Sequence, residues 1–229
     1  MDLLISVIWL GLLAGVAGIL SFPASRELFI IATKAHPLIM GMLKFALLGT
    51  MGELLGTKVI TGRWRLKGIR LHQRIIVWAF LGLVFAIILP LFSYGIDGLL
   101  GNGMIPGRNI RLLEAFWKSF FMQLIFAFPF MVFHRITDTL IEKNRLFAKW
   151  PVIETFVNID WKNMFTVVGW SIIWFWLPVQ TINYLLPPEF RVVVAALLAV
   201  ALGFILGLAK RLSVKQAVSV DSAAATSAA

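Results

Sequence analysis

The chain carries uncharged apolar runs that a water-soluble fold has no place for. Leu3–Phe22 holds no charged residue in 20 positions, Ile75–Ile96 none in 22 and Met164–Leu186 none in 23. A helix crossing about 30 Å of hydrocarbon needs about 20 mostly apolar residues. Three further stretches approach this. Pro37–Val59 is interrupted only by Lys44, Glu53 and Lys58, and Leu112–Phe133 is apolar after Glu114 and Lys118. Val192–Leu208 is short and takes Phe190 and Arg191 as its flank. Because the runs are continuous rather than alternating, they predict helices and not barrel strands. The expected fold is an all-α polytopic transmembrane helix bundle of about six spans.

Composition agrees. Apolar residues make up 60% and charged residues 14%, against roughly 45–50% and 25% in soluble domains. Such hydrophobicity excludes intrinsic disorder of the chain as a whole. The absence of cysteine excludes a disulfide scaffold, thiol catalysis and cysteine-ligated metals.

The +10 net charge is then a topology signal. With the N-terminus inside, the segments Lys58–Arg74, Arg135–Lys162 and the tail from Lys210 hold 14 Lys and Arg residues, against six outside. This bias predicts both termini on the positive side. The basic loops adjoin spans, where retention and attraction to anionic lipid explain them; no nucleic-acid partner is expected. Leu3–Phe22 lacks a basic n-region and is longer than a usual signal h-region, so an uncleaved first helix is expected. Residues 1–215 read as one transmembrane domain and 216–229, small and polar, as a disordered tail.

Ionisable and amide groups inside spans are candidate functional residues. Lys44 and Glu53 are nine residues apart, on opposite faces of their helix. Two readings stand open: Lys44 snorkels and Glu53 pairs with a basic residue at the inner surface, or one or both line a water-filled path. Glu114 and Lys118, spaced i, i+4 with the acid first, suggest an ion pair. In the fifth span Trp176, Gln180, Asn183 and Tyr184 fall on one face, which should turn away from lipid. Pro178 removes a backbone donor and predicts a kink. Interhelical hydrogen bonding and pore lining explain that face equally well. Gly11/Gly15, Gly52/Gly56 and Gly203/Gly207 fit Gly-x-x-x-Gly, allowing close helix contacts within one chain or in a homo-oligomer. His36, His72 and His134 have no ligand spacing, and there is no nucleophile elbow or phosphate-binding glycine loop. No metal, cofactor or enzymatic activity is expected.

The run Trp174-x-Trp176-Leu-Pro178-Val-Gln180-Thr-Ile-Asn183-Tyr184-Leu-Leu-Pro187-Pro188-Glu-Phe190-Arg191 resembles the C-terminal signature of the Mpv-seventeen / peroxisomal membrane protein twenty-two family. His36-Pro37 followed by Gly52-Glu53, and Arg74, Gly82 and Tyr94-x-x-Asp97, resemble its earlier motifs, so the likeness covers roughly residues 34–210. Glu53 stands where aspartate is usual, Ile87-Ile88 occupies the region of a usual Gly-Pro, and Asn183–Arg191 is one residue short of the common form. The first helix is longer and more apolar than the family's. The resemblance implies a divergent, bacterial member: a four-span core formed by the second to fifth spans, plus an N-terminal and a C-terminal helix. It also implies a channel for small solutes.

On that basis the expected function is a channel or pore for small solutes or ions among the second to fifth spans. Glu53, Gln180, Asn183 and Lys44 are the candidate lining residues, and Pro178, Trp176, Arg191 and Gly52 the structural or gating ones. The alternative is a non-catalytic bundle that organises membrane or partners. Lack of a presequence and the apolar first helix favour a bacterial inner membrane over a mitochondrial inner or peroxisomal one.

Overall fold

The computed structural model describes residues 2–227, with side chains described through Leu212. All regular structure among the described residues is helical. Six helices are long and apolar enough to span a membrane: α1 (Asp2–Ser21), α3 (Pro37–Thr61), α4 (Leu71–Gly101), α5 (Arg111–Glu142), α7 (Trp161–Leu185) and α8, whose first 25 residues, Pro188–Leu212, form the span. Two shorter helices, α2 (Pro23–Ala35) and α6 (Val152–Val157), complete the chain. Helix α8 as a whole runs Pro188–Ser227, through most of the 216–229 segment expected to be an unstructured tail.

Local chemistry sets the boundaries. Pro23 and Pro37 stand in the first turns of α2 and α3, where a missing N–H costs nothing. Gly62 ends α3 in the left-handed region (φ 75°) and returns its N–H to the Lys58 carbonyl at 2.8 Å. Pro129 and Pro178 sit inside long helices. Each follows a π-helical turn, Gln123–Ala127 in α5 and Ile172–Trp176 in α7. Proline clashes with the carbonyl four residues back, and a wide turn there relieves the clash. A third π-helical segment, Met164–Gly169, follows the first three residues of α7.

Helix α3 is central, packed on both α4 and α8. Where α3 meets α8, backbone touches backbone: a methyl group on Gly52 would overlap the Ala199 carbonyl, and one on Gly203 the Gly52 carbonyl. Gly207 would set its methyl 2.9 Å from the Gly56 carbonyl. Two of the three Gly-x-x-x-Gly motifs therefore face each other within one chain. Gly11 and Gly15 face nothing within 4 Å. Gly41 and Gly82 make the equivalent close approach between α3 and α4. The core fills the angles between these crossings with Phe45, Leu48, Phe85, Leu89, Met122 and Val193.

Helix α1 is peripheral. Its single buried apolar residue, Trp9, donates its indole N–H to the Met51 carbonyl at 3.1 Å. At the same end as the α3–α4 loop, Asp2 accepts from the Trp64 backbone N–H and Trp64 donates to Ser6. Since α8 passes Gly56 and Val59 through Gly207, its later part runs toward that same end. The start of α1, the loop 62–70 and the far end of the sixth span thus share one face, as an even number of crossings requires. Outward faces are apolar: Leu4, Ile76, Leu124, Phe165, Trp170 and Trp174 are all exposed. Water would penalise such a surface, whereas lipid accepts it.

Candidate functional site

The polar side chains inside the bundle collect at two levels. The first lies where α7 ends and α8 begins. Leu186 is extended ahead of Pro187, so α7 stops abruptly and leaves its last carbonyls without helical partners. Arg191, one turn into α8, supplies them: Nε donates to the Leu186 carbonyl at 2.9 Å and Nη2 to that of Tyr184 at 3.1 Å. Its Nη1 reaches Ser93 Oγ on α4 at 3.2 Å. The Asn183 amide donates to Gln180 Oε1 at 2.8 Å and to the Arg191 carbonyl at 3.1 Å. Tyr184 OH donates to the Leu89 carbonyl at 3.2 Å, and the Arg191 guanidinium lies 5.3 Å from the centre of its ring.

The structure thus brings Gln180, Asn183 and Arg191 together, with Gln180 and Asn183 each 1% exposed. The polar face of the fifth span does turn inward. Trp176 is less buried and belongs to the π-helical turn beside Pro178 rather than to this cluster. Just after this wide turn, the Leu177 carbonyl accepts from Ser119 on α5 at 2.8 Å and from Thr181 Oγ1 at 2.7 Å.

Two clefts meet at Arg191. One, about 350 Å³, lies between α2, α3, α4 and α8; Thr33, Ser93 and Arg191 give it polar groups, while Leu89, Pro90 and Val192 give it apolar walls. An ion pair between Lys34 and Glu189 (3.1 Å) stands at its edge. The other, about 300 Å³, lies between α5, the α7–α8 turn and Arg191, and its surface is mainly polar. Lys44 sits behind the first cleft, buried, donating to Thr33 Oγ1 at 2.9 Å with its ammonium 4.3 Å over the Phe29 ring. It therefore does not snorkel.

The second level is around Glu53, near the opposite end of α3. Its carboxylate is ion-paired with Arg74 on α4 and accepts from the Trp78 indole at 3.0 Å. Arg74 also approaches Asp138 on α5 at 4.0 Å, and Asp138 lies 3.9 Å from His134 Nδ1. A cavity of about 30 Å³ beside Thr50, Glu53 and Arg74 has room for a single water. Glu53 is not in contact with the Gln180–Asn183–Arg191 cluster. Between the levels, Phe45, Leu48, Leu81 and Phe85 are all buried.

Some of this was not visible in the sequence. Glu114 and Lys118 do not pair: Lys118 reaches Asp97 on α4 at 2.7 Å, and Glu114 accepts from the Asn109 backbone N–H at 2.8 Å. A partner on a neighbouring helix and a free loop amide both outcompete the weak i, i+4 interaction. Arg74 looked like one more loop cation, although its position four residues into α4 places it within reach of Glu53. No protein-family model matches the chain, and no curated protein or solved structure matches it.

Proposed function

We propose that this chain is an integral membrane protein providing a regulated pathway for small solutes, held here in a closed conformation. The observation that carries this reading is the convergence of two solute-sized clefts on one half-buried arginine, Arg191. A pocket of a few hundred Å³ with apolar walls and a few converging polar groups is the usual form of a small-molecule site. The buried layer of Phe45, Leu48, Leu81 and Phe85 separates that site from the Glu53–Arg74 level. Opening requires this layer to part. Glu53 then acts as a gate contact rather than a fixed lining charge, and Lys44, Gln180 and Asn183 position the cleft walls. The motif resemblance to the Mpv-seventeen / peroxisomal membrane protein twenty-two family supports the same reading.

The test is flux from proteoliposomes and conductance in planar bilayers. Passage of small solutes that stops with increasing solute size is expected. Neither flux nor conductance above empty controls, in several lipids, would remove the proposal. A second reading has its own support. Lys44, Glu53, Gln180, Asn183 and Arg191 all have partners within the chain, as they would in a bundle that only organises membrane or partners. Variants that loosen the hydrophobic layer separate the two: a pathway leaks, whereas a structural bundle merely loses stability.

A further inference from the structure

The cleft between α5 and the α7–α8 turn is lined by three cationic side chains, Arg111 and Lys118 from α5 and Arg191 from α8, and by one acidic side chain, Glu114. None of the cations is fully spent. Arg111 donates one bond, from Nη2 to the Leu185 carbonyl at 3.2 Å, and Arg191 donates three from a guanidinium that carries five N–H groups. Lys118 has three ammonium hydrogens and one ionic partner, Asp97. Glu114 is the only carboxylate lining the cleft among the described residues, and one of its oxygens is held by the Asn109 amide. The cleft therefore offers several charge-bearing donors and a small surplus of positive charge. Guanidinium and ammonium groups together suit an oxyanion, because the planar fork matches two oxygens and the ammonium adds a point charge.

We propose that this cleft binds the oxyanion group, carboxylate or phosphate, of a small ligand. The assignment rests on the pathway reading above in one respect: it names the class of solute that would reach Arg191. Occupancy would tie α5 to α8 across the end of α7. The same oxyanion chemistry is carried by a free solute and by an anionic lipid headgroup, and the experiment distinguishes them.

Binding is measured on the full-length protein, first in a non-ionic detergent with inorganic phosphate and with acetate, by isothermal titration calorimetry. It is then measured in nanodiscs of phosphatidylcholine with and without phosphatidylglycerol. Arg111→Gln removes an exposed charge and leaves the Arg191 bonds intact. It is expected to weaken binding roughly twofold to fivefold, the range for one partly solvated charge contact. Glu114→Gln keeps an acceptor for the Asn109 amide while removing the opposing charge, and is expected to tighten binding by a similar factor. Saturable binding of phosphate or acetate with these opposite shifts identifies a free anion. The same shifts seen only as retention of phosphatidylglycerol identify a lipid headgroup. Binding that ignores both substitutions, or no binding of either ligand class, overturns the site. Binding without flux in proteoliposomes keeps the site and removes the pathway.

Discussion

At the scale of single residues, the membrane-embedded polar groups earn their places by satisfying backbone as much as one another. Arg191 is the clearest case, because it caps the carbonyls that α7 loses at Pro187. Replacing Asn183 with alanine would strand the side-chain carbonyl oxygen of Gln180 and take a second donor from the Arg191 backbone carbonyl. It should destabilise the protein by about 1–3 kcal/mol, read as a lowered unfolding midpoint in detergent. Glu53→Gln breaks the ion pair with Arg74 but leaves an oxygen for the Trp78 indole. A loss on the order of 2 kcal/mol is expected. The double variant Glu53→Gln/Arg74→Gln should recover part of it, and strict additivity in that cycle would show that the pair does not couple. If Glu53 faces the open pathway, the single variant also shifts the reversal potential under a salt gradient. Much at this scale was legible: an acid in an apolar span needs a counter-charge, and amides on one helical face need partners away from lipid. What could not be read was partner identity. Lys118 had a plausible acid one turn away, yet its ion pair is with Asp97 on another helix. Sequence spacing reports neighbours along a helix, not across a crossing.

At the scale of helices, six spans and their order follow from hydrophobic length alone, while the fine form of two of them does not. Pro178 predicts an irregularity, but not that a π-helical turn precedes it, nor that the neighbouring Leu177 carbonyl accepts from Ser119 on α5. Likewise Gly-x-x-x-Gly fixes a close approach without naming the partner. Here Gly52 and Gly56 meet Gly203 and Gly207, whereas Gly11 and Gly15 meet nothing. Gly52→Ala must therefore push α3 from α8 and should cost about 1–3 kcal/mol. Gly11→Ala and Gly15→Ala should leave the unfolding midpoint unchanged or slightly raised. A loss of stability at Gly11 equal to that at Gly52 would mean that α1 packs against something not present in a single chain.

At the scale of the whole molecule, the fold is two polar levels separated by an apolar layer. Leu48→Ala opens that layer at a fully buried position. It should cost about 2–5 kcal/mol and, if the pathway exists, raise solute leak from proteoliposomes at temperatures well below unfolding. Lower stability with no added leak would favour the structural bundle. Topology is testable cleanly because the chain has no cysteine. Arg65→Cys, in the loop after α3, and Asn102→Cys, just after α4, should be labelled by a membrane-impermeant maleimide from opposite sides. The excess of Lys and Arg predicts Arg65 on the cytoplasmic side; labelling of both from one side would break the six-span arrangement. The glycine contacts between α3 and α8 bear on motion as well. Two backbones in direct touch have no side chains to rearrange, so this crossing is a poor place for sliding or rotation. Helices α5 and α7 hold the wide turns, one in each followed closely by a proline. If the pathway proposed above opens, the α3–α8 pair is thus its stator, and the stroke belongs to the α5–α7 wall, whose helix α5 packs on α4.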